Sequence, residues 1–216
     1  MKELLEQIVR KVKQNENVGL NPLVFLDNSA VIDFEHYVKN QRLGNSKYCV
    51  HEVFTCLTSY FPIFVTDNIF IEICCHHTNH KINGKPEVGT QTVQFTKKKH
   101  EDYQIFLASN LNENSFLYDK IRYDVYWTSL NIFNSHHKKR ELDPMSLNDR
   151  ELVSGAIFAR YSNYNSIPVS SSFVISADSH ILESLRLLTD EDNDFKSNNG
   201  EFGYNHVYTI NPRELK

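Results

Sequence analysis

Long apolar runs are missing from this sequence: nowhere do about 18 uncharged apolar residues follow one another, so no membrane-spanning helix is expected. The opening MKELLEQIVRKVKQ mixes charges with Leu4, Leu5, Ile8, Val9 and Val12 at helical spacing, unlike the apolar centre of a signal peptide. An excess of basic charge is also missing. The formal net charge is -4, which excludes a global field for drawing in nucleic acid and leaves phosphate binding to local patches or bound cations. Cysteine is scarce. Cys49, Cys56, Cys74 and Cys75 make a poor disulfide framework, since two of them are adjacent, and a reduced compartment fits better. These absences together set the expectation of a soluble, cytoplasmic protein. There is no G-x-x-x-x-G-K-[ST] or G-x-G-x-x-G phosphate loop, and the serine-rich IPVSSSFVIS lacks a G-x-S-x-G elbow. FLDNS has no second acid two residues after Asp27, where Ser29 stands, which disfavours an aspartyl-nucleophile phosphatase.

What is present is enough apolar content, 40% of 216 residues, to bury the core of one sizeable domain. Residues 1–16 read as an amphipathic helix, and 15–22 as a polar break. Leu23–Leu26 reads as a strand and 30–42 as a helix. FPIFVTD (61–67) reads as a strand, followed by NIFIEICCHH with helical potential. Residues 79–100, with Gly84, Pro86 and Gly89, read as a loop or insertion. Residues 101–133 are expected to be helices packed on the body, with the aromatics of 103–133 in the core or, as the alternative, on a partner or RNA surface, and 135–144 a polar, basic connection. A helix then starts near Ser146, a buried strand covers Phe173–Ser176, and SHILESLRLL follows as a helix. An acidic loop separates it from a last strand, HVYTI. Strands alternating with helices predict an α/β fold with a mainly parallel sheet.

Acidic residues recur at the junctions. Asp27 ends VFL, and Asp178 follows FVIS after one alanine. Glu72 lies about a turn into the helix after FPIFVT, and Asp149 in the first turn of the helix that starts near Ser146. In an open parallel sheet, strand C-termini and helix N-termini share the edge where ligands bind. Carboxylates gathered there repel one another unless a cation intervenes, and hard oxygen donors suit Mg²⁺ or Mn²⁺. Each residue alone also has a structural reading. Asp27 and Asp178 can cap helices, Asp149 fits a Ser146-x-x-Asp149 capping box, and Glu72 can be an ordinary helix-surface residue.

Taken in order, VFLDNSAVIDF, FPIFVTDNIFIEI, LNDRELVSGAIFARY, FVISADSHIL and VYTINPREL resemble the successive motifs of the PIN domain family of metal-dependent ribonucleases, over residues 23–214. The chain departs from compact members in its enlarged middle segment, about 78–145. The resemblance implies a single PIN-like domain with a three-layer α/β/α fold. It also implies hydrolysis of RNA phosphodiesters with Mg²⁺ or Mn²⁺, through Asp27, Glu72, Asp149 and Asp178 as metal-site carboxylates. Ser176 would hydrogen-bond a phosphate or a metal-bound water, and Asn28 and Ser29 would orient Asp27. RNA is the implied partner. A protein partner, such as the antitoxin that accompanies small toxin members, and a homo-oligomer are left open.

Rival readings are weaker or of another class. Cys74, Cys75, His76 and His77 are consecutive, so on a helix they point around it rather than converge on zinc. His136 and His137, beside Lys138, Lys139 and Arg140, read as a solvated loop that can also touch phosphates, as can Lys97–Lys99. The alternative class is a PIN-like RNA- or protein-interaction module without nuclease activity.

Overall fold

The computed structural model describes residues 2–14, 22–40, 60–78, 81–82, 85–86, 104–105, 115–136, 145–189 and 206–215. The loop expected at 87–100, the basic connection at 137–144 and the acidic loop at 190–205 lie outside the described residues.

The chain opens with α1 (Lys2–Gln14), which buries Ile8 and Val12 and exposes Glu6, Arg10, Lys11 and Lys13 on the other side. Then come β1 (Pro22–Leu26), α2 (Asn28–Asn40), β2 (Ile63–Val65) and α3 (Asp67–Thr78). A small antiparallel pair, β3 (Lys81–Ile82) and β4 (Lys85–Pro86), falls in the stretch read as a loop. The two-residue strand β5 (Gln104–Ile105) falls in the stretch read as helical. The long α4 (Ser115–His136) and α5 (Leu147–Ala159) follow. A tight hairpin, β6 (Asn163–Tyr164) and β7 (Ile167–Pro168), leads to β8 (Ser171–Ile175), α6 (Ser179–Thr189), β9 (Val207–Ile210) and a closing 3₁₀ turn, Pro212–Leu215.

The central sheet has five parallel strands in the order β5-β2-β1-β8-β9, and helices flank it. β8 is buried along its whole length, and β1 everywhere past Pro22, as strands covered on both faces should be. Their apolar side chains join those of the helices in one core around Phe25, Phe34, Phe70, Phe158 and Phe173. On one side of the core α4, α5 and α6 pack against one another. α2 packs on α3 and on the closing turn, where α1 also rests.

The strand order sets the position of the site. From β1 the chain steps outward to β2 and β5, then returns to β8 on the other side of β1 and continues to β9. The direction reverses between β1 and β8, and the crevice beyond the carboxyl ends of such strands is where open α/β sheets take ligands. Register aligns those ends. Leu26 pairs with Ile175, and Ile175 with Ile210, so Asp27, Ser176 and Asn211 emerge side by side.

The closing turn is tied to this edge. Arg213 grips the largely buried Asp33 of α2 with two hydrogen bonds, of 2.8 and 3.1 Å. Because the guanidinium is more than half exposed, solvent weakens the pair. Arg213→Ala still leaves a buried carboxylate short of donors. It is expected to lower stability by about 1–2 kcal/mol in urea unfolding; no change in midpoint would show that the pair is idle.

Candidate metal centre

Asp27 is 3% exposed and stands at the end of β1, where its N–H donates to the carbonyl of Ile175. Its Oδ2 accepts the N–H of Ser29 at 3.2 Å, so the carboxylate caps α2. The same oxygen accepts the hydroxyls of Ser29 and of Ser176, the latter at 2.9 Å. Ser29 Oγ also accepts the N–H of Ala177, and Ser176 Oγ that of Asp178. The two hydroxyls lie 3.2 Å apart. Ser29 and Ser176 therefore lock the ends of β1 and β8 together around one carboxylate oxygen.

Asp178 caps α6, its Oδ1 accepting the N–H groups of His180 and Ile181. Asp149 closes the capping box at the start of α5. Its Oδ2 accepts the Ser146 hydroxyl at 2.7 Å and the Ser146 N–H at 3.3 Å, and its own N–H donates back to Ser146 Oγ. Glu72 is half-buried on α3 and accepts from the side chain of Asn148 on α5. A second tie, Asn68 to Glu151 at 2.9 Å, holds the same two helices together.

The structural readings of Asp27, Asp149 and Asp178 thus hold, since Asp27 and Asp178 cap helices and Asp149 closes the box on the Ser146 cap. Capping uses one oxygen of each. The hydrogen bonds just given engage Oδ2 of Asp27, Oδ2 of Asp149, Oδ1 of Asp178 and Oε1 of Glu72. Among the described residues no hydrogen bond engages the other oxygen of each carboxylate.

These groups sense one another. Burial pushes the Asp27 carboxyl up to about 6, against the pull of its two serine donors, and Asp149 and Asp178 push it further. Burial also raises Glu72, opposed by Asn148, with Asp149 adding to the rise. Asp149 is raised by burial, opposed by Ser146, with Asp178 adding to the rise. All four carboxylates therefore share one electrostatic neighbourhood. Even so, among the described residues no three His, Cys, Asp or Glu side chains converge closely enough to hold an ion directly. The donor set is all hard oxygen, the kind that Mg²⁺ and Mn²⁺ prefer. Asn28 Oδ1 is buried beside Asp27 without a partner, an orphan acceptor of the kind an ion or ordered water satisfies.

Cys74, Cys75, His76 and His77 lie on α3, but their side chains are outside the described residues, as are His137 and Lys97–Lys99. Three residues of the edge were missed in the sequence. Asn148 holds Glu72 across a separation of 76 residues, which no local pattern displays. His180 is buried close enough to Asp149 to act on its charge, and its Nε2 has no partner. Its place two residues after Asp178 was the available signal. Arg213 brings positive charge near Asp178.

Comparison of the chain with protein-family models, with curated proteins and with solved structures returned no match.

Proposed function

We propose that this protein is a metal-dependent ribonuclease of PIN-like α/β/α architecture. The observation that supports it most is that four carboxylates, from the ends of β1 and β8 and from α3 and α5, act on one another's charge beside the sheet's switch point, each with one oxygen bonded by the protein. Buried like charges are costly, and a divalent cation offsets that cost. When bound, Mg²⁺ or Mn²⁺ would activate water and neutralise phosphate charge.

The chain's own residues hold the geometry. Ser29 and Ser176 fix Asp27, Ser146 fixes Asp149, and the α6 N-terminus fixes Asp178. Asn148 turns Glu72 toward the same edge. Under this reading Asp27, Glu72, Asp149 and Asp178 would hold the cation together with its waters.

The test is cleavage of a mixed single-stranded and structured RNA pool in Mg²⁺, Mn²⁺ or EDTA, with Asp149→Asn beside the wild type. Asparagine keeps the cap, so folding should survive. Metal-dependent cleavage falling by about a hundredfold or more in the variant is expected. Equal cleavage by both proteins, or cleavage in EDTA, would discard this site. The second reading, a silent PIN-like interaction module, is favoured by the lack of three directly converging ligands. It predicts no cleavage and no Mg²⁺-induced rise in melting temperature.

A further inference from the structure

Of the two readings of the middle segment's aromatics, core or partner surface, α4 fits the first only in part. Leu117, Ile121, Val125 and Ile132 are buried against α5 and α6. Phe116 is 82% exposed, Tyr123 62%, Tyr126 43% and Trp127 39%. Tyr123 and Tyr126 both meet Trp127 edge-on, with centroids 5.9 and 5.6 Å apart. The Arg150 guanidinium lies over the Tyr126 ring at 5.2 Å, and Arg122 lies over Tyr118 at 5.8 Å. Between α4 and the start of α5, Arg122, Tyr123, Tyr126 and Arg150 border a depression of about 300 Å³, and Trp127 touches it through Tyr123 and Tyr126.

We infer that this aromatic and arginine strip is the track on which unpaired RNA bases stack as the strand enters the acidic edge. The inference rests on the ribonuclease reading for its ligand. Three observations support it. Arg150 Nε donates to the Ser146 carbonyl at 3.4 Å, and the Ser146 hydroxyl donates to Asp149, so the strip and the carboxylate edge meet at the start of α5. Flat rings and planar guanidinium groups together are the chemistry that stacks bases. Asp119 and Glu151 line the same depression and balance the two arginines. Charged groups spread among the rings suit a wet nucleic-acid surface. They are poorly suited to the centre of a protein dimer, which is depleted of charge. With cations and anions balanced, attraction comes from stacking rather than net field. Affinity should therefore fall only weakly with salt, unlike phosphate-driven binding.

Trp127 is the one tryptophan in the chain, so its fluorescence reads the strip directly. The experiment titrates the full-length protein, in EDTA to prevent cleavage, with a single-stranded oligouridylate of about twelve nucleotides and with an RNA duplex. The expected result is saturable quenching by the single strand and little by the duplex. Tyr126→Ala should weaken binding about tenfold, and Arg10→Ala on α1, outside the depression, should not. Labelled RNA that binds by anisotropy without quenching Trp127 overturns the inference, as does Tyr126→Ala that binds like wild type. A concentration-dependent dimer in sedimentation that Tyr126→Ala dissolves assigns the strip to a second copy of the chain and also overturns it. Metal-dependent cleavage is measured separately. Quenching without cleavage counts against the ribonuclease reading and leaves the strip, whereas cleavage with an unchanged KM in Tyr126→Ala counts against the strip alone.

Discussion

Without metal at pH 7, Asp27→Asn should make the protein more stable, by up to about 3 kcal/mol, while removing metal-dependent cleavage. The buried carboxyl keeps its proton to about pH 6, whereas the unfolded chain releases it near 3.8. Within that window the native state binds more protons than the unfolded state, so stability falls as pH rises through it. The favourable contribution is complete below about 3.8 and gone above about 6. Glu72 and Asp149 shift in the same direction and steepen the trend. Asparagine has no charge to bury and can still accept from Ser29 and Ser176. Thermal unfolding in EDTA between pH 5 and 7 checks this. The melting temperature of the variant should exceed that of wild type by roughly 5–10 °C at pH 7 and by less at pH 5. Parallel curves for the two proteins would show that Asp27 is not held as a buried, proton-retaining acid. Adding Mg²⁺ should raise the wild type and not the variant, more at pH 7 than at pH 5, because an ion binds the deprotonated groups.

Ser176→Ala should produce the second large effect. Ser176 Oγ donates to Asp27 and accepts the Asp178 N–H, so it joins two of the four carboxylates. Its loss takes a donor from Asp27, whose carboxyl then rises above about 6. The acid limb of cleavage should move to higher pH. Affinity for Mn²⁺ should fall about 10- to 100-fold, as when a group orienting a ligand is removed. Ser172→Ala is the control. Ser172 is as deeply buried, in the strand that leads to Ser176, but its hydroxyl has no partner, so only stability should respond. If both alanines shift the pH profile equally, Ser176 is a packing residue and nothing more.

The sequence displayed local features well and distant ones poorly. VFL running into Asp27, and FVIS into Ala177 and Asp178, marked strand ends within a residue or two, because fully buried strands read as unbroken apolar runs. The Ser146–Asp149 box was visible for the same local reason. Strand order was not visible, since periodicity says that a strand is buried and not which strand lies beside it. β5 escaped notice because two residues beside a parallel neighbour need no apolar run of their own. Composition left the aromatics of α4 open between core and surface. The helix's buried stripe at Leu117, Ile121, Val125 and Ile132 is enough to anchor it, so its other aromatics are free to face outward. Glu72 and Asn148 meet only through the packing of α3 on α5.

That two of the four acids double as helix caps shapes how this edge can decay over generations. A lineage that no longer needed cleavage would still need its helices to start. Asparagine and serine cap as well as aspartate, and alanine does not. Descendants with a silent edge should therefore accumulate Asn or Ser at 27 and 178, and Gln or Glu at 149 where the box on Ser146 closes, whereas position 72, which caps nothing, would drift freely. An idle copy would be recognised by uncharged caps in place of acids, with its shape intact.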